Sequence, residues 1–553
     1  MTEKIDALFI PFYSDIDRWH NDMNTAQEAS SIKTIAAQKG LRKARMVSEG
    51  VIIDEKAYDL SRFLSWVHYG STVEYERYDS YSLTLLSGCY YSSLLRRHGF
   101  NIYSANATNK NSLKILAEKL DPQFVLLSTT LILEHIVLRD FVSHVRKLWP
   151  EAIIVLGGLF LVELQKTNTR KQLLELLHFY NADVYIISSH GETPLLELLK
   201  RGARKSLIEQ PAIPNTYVMH NKDTILEPPF EMKEEIMPLA DNYIRWRQYV
   251  IQDHLYHAVH TRTARSCAFK CAFCNFPINQ GPLMFMPVDV VKRELEELKS
   301  CSGVDSIIFT DDTFNVPLKR FKELCRVLAQ FDFTWYSFFR PQFCDTETAQ
   351  LMKAAHCKAV FAGIESVDNL ILKNMNKKTT IEAMKRGIEK LKKVGICIHA
   401  NFVIGFPGET QETVHGISKF LDEMEIEFFT LAPWHYVPST PIHRRKKEFG
   451  LTGAFGKWKH KTMSSEEAYK ITKEIISQPK YSVHVPELAA NNFWSEIMLY
   501  CNGFSTEEAH FVLRTFNKYM GRYVSSKEIK QSIEYSELHA ILSKHQMPKP
   551  INI

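Results

Sequence analysis

From the N-terminus to about residue 205, short apolar runs alternate with amphipathic stretches. The runs "DALFIPF", "FNIYSA", "FVLLSTT", "AIIVLGG" and "DVYIIS" predict strands covered on both faces. Between them Leu83 to Arg97, "SLKILAEKL", "VLRDFVSHVRKLW", "LLELLHF" and "TPLLELLK" carry apolar residues at helical spacing. The first of these ends at Gly99, which fits a left-handed cap. Five strands with helical crossovers predict an α/β, Rossmann-like domain over 1–205. Pro211, Pro214, Pro228 and Pro229 then crowd a stretch predicted as a linker, 206–245, without regular structure. A second α/β region, 246–440, offers six strands: "HAVHTRTA", "SIIFTDD", "FTWYSFF", "AVFAGIES", "ICIHANFVIGF" and "FFTLAPWHYV". Helical stretches between them predict a partial (β/α)6 barrel. Beyond 441 the strand pattern stops, and capping-box patterns at Ser464/Glu467 and Ser505/Glu508 predict a helical C-terminal domain, 441–553.

Composition narrows the class without naming a function. The 553 residues are 45% hydrophobic, enough for two or three cores. A net charge of +5 is too mild and dispersed to argue for nucleic acid. No apolar run approaches the roughly 18 residues of a membrane span, and the start "MTEKIDALFIPFY" lacks the features of a signal peptide, so a cytoplasmic protein is expected. Ten cysteines in such a chain are no disulfide framework.

Only Cys267, Cys271 and Cys274 cluster, in "RTARSCAFKCAFCNFP". A structural zinc site would need a fourth ligand, and no second Cys-x2-Cys or His-x3-His partner lies nearby. Three thiolates on one short loop can instead meet three irons of a cubane, leaving the fourth iron open.

This stretch resembles the signature of radical S-adenosylmethionine (SAM) enzymes, in which the open iron of a 4Fe-4S cluster chelates SAM. The resemblance implies that Phe273 lies beside the adenine. It also implies that Asp311 or Asp312 in "TDDTFN" accepts from the methionine ammonium and that Arg340 pairs with its carboxylate. Glu365 and Ser366 in "GIES" are expected to contact carboxylate or ribose. Gly405 and Gly408 in "NFVIGFPGET" would let the backbone approach the adenosine, with Glu409 or Thr410 near a helix start. A Rossmann-like domain before such a barrel resembles the cobalamin-binding arrangement of one large subclass. Its expected landmarks are Ser128, Thr129 and Thr130, then Gly157 and Gly158, then Ser189, Gly191 and Glu192. The Asp-x-His-x-x-Gly that supplies a cobalt-ligating histidine is missing, and neither His20 nor His98 fits it, so base-off cobalamin is expected.

From the cysteine loop onward the chain is most similar to phosphinothricin-type P-methylases, through "FTDDTFNVPLKRF", "GLTGAFGKWKHKTMSSEEA" and "NNFWSEIML". Trp458, His460 and Trp494 are therefore expected near the substrate. "HRRKKEF" reads as a solvated helix face. The resemblance implies methyl transfer to an unactivated carbon or a phosphinate phosphorus of a small-molecule or peptide substrate, with an external flavodoxin- or ferredoxin-type electron donor. Two other readings stand beside it. One is a radical epimerase, cyclase or rearrangement enzyme, with Cys344, Cys357 or Cys397 as hydrogen donor; the other is a non-catalytic cluster or corrinoid sensor.

Overall fold

The computed structural model describes residues 2–13, 50–70, 85–105, 107–108, 110–130, 135–221, 224–229, 236–248, 258–301, 303–486 and 492–545. They fall into two compact units.

The first unit comprises described residues of 1–38, 84–252 and 278–301. Its sheet uses β1 (Glu3–Ile10), β2 (Ile102–Ser104), β3 (Leu120–Ser128), β4 (Ile153–Gly157) and β5 (Val184–Ile186) in the order β2-β1-β3-β4-β5, all parallel. Alternate residues feed two cores: Leu8, Leu127 and Ile154 pack on one face, Phe9, Leu126 and Val155 on the other. That two-sided burial is why these strands read as continuous apolar runs. The proline-rich stretch is not irregular throughout. Between its two proline pairs the hairpin β6 (Thr216–Asn221) and β7 (Thr224–Leu226) extends the sheet antiparallel from β5. The prolines lie outside the paired residues, so they cost no ladder hydrogen bond. Segment 278–301 belongs to this unit, where Glu294 accepts from the backbone N–H of Ile244 at 3.0 Å.

The second unit comprises described residues of 39–83, 253–277 and 302–553. Its sheet runs in chain order, all parallel: β8 (Ala258–Thr261), β9 (Ser306–Phe309), β10 (Thr334–Phe339), β11 (Cys357–Glu365), β12 (Cys397–Ile404), β13 (Phe428–Pro433) and β14 (Val483–His484). The six expected strands are present. The strands do not stop at 441, because β14 adds a seventh and Thr452–Ala454 pairs with Lys457–Lys459. Their two- and three-residue lengths leave too little periodicity to read. The region is otherwise helical, and both expected capping boxes form. Residues 51–67 also enter this core: Ile52 and Ile53 pair with Tyr523 and Val524, and Phe63 packs edge-on to Phe516, 5.4 Å between centroids. The compact units thus divide the chain differently from the boundaries expected at 205, 245 and 440.

The two faces of the second sheet differ. Outward residues such as Val360, Ile364, Ile398 and Phe402 are fully buried. Inward, Tyr336, Cys397 and Phe428 are capped by Ile497, Met498 and Tyr500 from a later helix. Higher along the strands, inward Phe338, Phe361, Gly363, Asn401 and Ala432 are only half-buried, which marks an open lumen above a packed floor. No helix among the described residues is long and apolar enough to cross a membrane.

Candidate active site

The cysteine loop leaves the carboxyl end of β8, and backbone bonds fix it: Ala272 N–H donates to Met375 O at 2.7 Å and Ile442 N–H to Ala272 O at 3.0 Å. The side chain of Asn376 donates to Lys270 O at 2.7 Å. Cys267 Sγ lies 3.4 Å from Thr313 Oγ1, and Cys274 Sγ accepts from Phe276 N–H at 3.4 Å. Burial first, then the neighbouring Cys271, Asp312 and Cys267, push the Cys274 thiol up to about 12. Three cysteine thiols on one loop are a donor set that fits an iron–sulfur cluster. Among the described residues no three His, Cys, Asp or Glu side chains gather around one ion; a cubane spreads its three cysteines over three irons.

Arg340, just past β10, is buried. One Nη donates to Cys271 Sγ at 3.1 Å, the other to Lys377 O at 2.9 Å, and the guanidinium lies 3.5 Å from the Phe269 ring centroid. It therefore serves the cysteine loop in this structure rather than reaching into open space. An N–H and a positive charge on a ligating sulfur raise a cluster's potential.

The two aspartates after β9 separate by role. Both oxygens of buried Asp311 accept from Thr263, from its N–H at 2.9 Å and its hydroxyl at 2.8 Å. Asp312 is surrounded by protein yet keeps an exposed side, as a residue lining a concavity does. Burial, then Asp311, pushes its carboxyl up to about 8. Of the two, only Asp312 keeps an exposed side.

Glu365 ends β11 with φ +67°, in an ion pair with Lys377 at 2.7 Å; both side chains are buried. Asn401 Nδ2 donates to its other oxygen at 3.4 Å. Lys377 was not foreseen, because one lysine in a polar "NKK" carries no sequence signal. Ser366 is buried, and its hydroxyl accepts from Asp368 N–H at 3.3 Å, a local turn.

At the end of β12, Gly405 has φ +89°, and a Cβ there would come within 2.4 Å of Trp458. Gly405 O accepts from His460 Nε2 at 3.0 Å, and the Trp458 and His460 rings stack 5.3 Å apart. The close approach at this glycine is therefore by Trp458. Gly408 faces Asn374 in the same way, with 2.7 Å to its Nδ2. Phe273 meets Phe406 edge-on at 6.3 Å, so the cysteine loop and the β12 end adjoin where adenosine was expected. Thr410 caps α3 (Gln411–Met424), and the preceding Glu409 is buried and accepts from Gly405 N–H at 2.5 Å. Trp494's side chain lies outside the described residues, and Arg445 in the basic stretch pairs with Glu448.

In the first unit the expected landmarks gather at the carboxyl ends of β3, β4 and β5, the side on which open α/β sheets bind ligands. Thr129 donates to Gly157 O from both its N–H, at 2.7 Å, and its hydroxyl, at 3.0 Å. Ser128 and Thr130 hydroxyls lie 3.4 Å apart, and Thr130 is exposed. Ser189 Oγ donates to Asn279 O, and Asn279 is also held by Glu163 and Lys166, on the helix Leu159–Thr167 (α1) that follows β4. Asn279 was not foreseen. Gly191 precedes α2 (Glu192–Arg201), and Glu192 accepts from Tyr90 at 2.8 Å. His98 Nδ1 bonds its own helix at Leu94 O, and His20 lies outside the described residues.

Comparison with known proteins agrees with this site. Residues 261–421 match the radical SAM superfamily. An uncharacterized methyltransferase of Pyrococcus horikoshii is 33% identical over 175 residues, covering 31% of this chain and 38% of that protein. The anaerobic magnesium-protoporphyrin IX monomethyl ester cyclase of Rubrivivax gelatinosus is 27% identical over 299 residues, 52% of each. The chain thus spans 38% and 52% of these curated relatives' lengths. TsrM from Kitasatospora setae, a radical SAM methyltransferase solved with cobalamin and a 4Fe-4S cluster, shares the fold with a TM-score of 0.51 at 19% identity, over 66% of this chain and 72% of that one. The cysteine loop and the carboxylates at the strand ends lie together within residues 261–421, the region that matches the radical SAM superfamily.

Proposed function

We propose that the chain is a cobalamin-dependent radical SAM methyltransferase of small molecules or peptides, with an unactivated carbon or a phosphinate phosphorus as methyl acceptor. The observation that carries the reading is the fixed three-cysteine loop, with Arg340 on Cys271 and Asp312 at the open edge. The cobalamin part is supported by the first unit. Its strand order has a switch point between β1 and β3, and a Cβ at Gly157 would meet nothing nearer than 3.9 Å, which leaves room at the strand end. When bound, the cluster would supply the electron that cleaves SAM to a 5′-deoxyadenosyl radical, and cobalamin would carry the methyl group. This chain's residues then have defined tasks. Cys267, Cys271 and Cys274 hold the cluster, Asp312 and Phe273 orient SAM, and the Glu365–Lys377 pair fixes the wall beneath it. The expected cobalamin is base-off, without a protein imidazole.

Product counting on anaerobically reconstituted protein tests the reading. Each methylated product should appear with about one 5′-deoxyadenosine and one S-adenosylhomocysteine, as the two uses of SAM require. Replacing all three cysteines by Ala should remove cluster iron and both products of turnover. A curated match over 299 residues is to a cyclase, which supports the second reading. Product formed without S-adenosylhomocysteine and without a methyl's added mass would establish that reading instead.

A further inference from the structure

The lumen of the second sheet holds a polar group that the SAM site does not use. His399 lies two residues before Asn401 on β12, on the same face and so roughly 7 Å lower. Its Nδ1 bonds Glu496 Oε1, on α4 (Asn492–Cys501), and its Nε2 lies 2.8 Å from Thr430 Oγ1 on β13. All three side chains are buried, Glu496 and His399 to 1% exposure. Thr430 Oγ1 donates to Val485 O at 3.3 Å, so toward His399 it accepts and Nε2 carries a proton. One further proton is then shared between Nδ1 and Glu496, and the pair has no net charge in either arrangement.

Glu496 Oε2 has no hydrogen-bond partner among the described residues. An acceptor buried without a donor is costly, and an entering donor removes that cost. Aromatic rings neighbour its partner: the Phe361 and His399 ring centroids lie 4.8 Å apart, and Phe338 meets Phe361 edge-on at 5.2 Å. Both are half-buried although the outward side of the sheet is sealed.

We infer that Glu496, positioned by His399 and Thr430, is a specificity-determining residue on the lumen floor that receives an uncharged O–H or N–H donor carried on a flat apolar body. A neutral pair with one open acceptor selects a neutral donor. A carboxylate or phosphinate would face the open oxygen unfavourably, and a lone ammonium would leave a net buried charge. Calling the occupant a substrate rests on the radical-enzyme reading, but binding can be measured without turnover.

The experiment is ligand-observed NMR titration of full-length, anaerobically reconstituted protein with phenol, anisole and benzylammonium. Phenol is expected to bind at least tenfold more tightly than the other two. Glu496→Gln should keep that preference within threefold, because its amide N–H can donate to Nδ1 while its carbonyl replaces Oε2. Glu496→Leu should bring phenol and anisole to equal affinity. Ala432→Leu, which fills the half-buried lumen wall, should abolish phenol binding and provides the test of location if Glu496→Leu does not fold. Equal affinity of phenol and anisole for the wild type, no binding of either, or undiminished phenol binding in Ala432→Leu would overturn the inference. Each of these results is independent of whether S-adenosylhomocysteine accompanies product, so the two proposals fail separately.

Discussion

Gly157 and Gly158 stand side by side after β4 and do different work. Gly158 has φ +128°, and a Cβ there would lie 2.8 Å from Thr129 Oγ1 and 2.9 Å from Thr130 N. It is needed by the protein's own loop. Gly157 leaves its space open. Gly158→Ala is therefore expected to destabilise the first unit by about 1–3 kcal/mol, through backbone strain and the clash, with a lower midpoint in urea. Gly157→Leu should leave that midpoint nearly unchanged and reduce corrinoid retention, measured by the visible absorption of the reconstituted protein. The same division runs through the site. The cysteines, the two aspartates and "GIES" were legible because a motif in chain order ties residue type to chemistry. Lys377, Asn279 and Glu496 were not, since each gains its role from a partner 12, 90 or 97 positions away.

At the scale of elements, the parallel strands could be read because each is several residues long and covered on both faces. The hairpin β6–β7, the two-residue β14 and the segment 51–69 could not, because a tertiary partner and not a local period decides them. Helix α3 shows how an element's start couples to the site. Burial holds the Glu409 carboxyl up at about 8, against the bonds from Gly405 and Phe406 that favour its ionisation. Its ordinary value is 4.5. Between these values the folded chain keeps a proton that the unfolded chain has released, so stability present at low pH is lost as pH rises toward 8. The slope from this group is at most about 1.4 kcal/mol per pH unit. Glu409→Gln, which can still accept from Gly405 N–H, should melt more like wild type at pH 5 and exceed it at pH 8. Parallel melting curves for the two proteins across that range would show that Glu409 does not carry the dependence.

Over the whole molecule the chain passes between the two units five times, since 39–83, 253–277 and 302–553 form one and the remaining segments the other. A cut at the expected linker would not yield an intact second unit. The fragment 246–553 lacks Phe63, Trp66 and the strand that pairs Tyr523, and it exposes Phe516 and Tyr519. It is expected to aggregate on expression, while adding residues 50–70 in trans should increase its soluble yield, measured by light scattering.

The pairing of Ile52 with Tyr523 also sets an order of events during synthesis. Residues 51–67 leave the ribosome long before their core partners on 497–542. At roughly 5–20 residues per second, the apolar side of that early segment waits on the order of half a minute to a minute and a half before it can be covered. For that interval Phe63, Leu64 and Trp66 are open to whatever shields nascent chains, so the yield of folded protein in the cell is expected to rise and fall with chaperone supply.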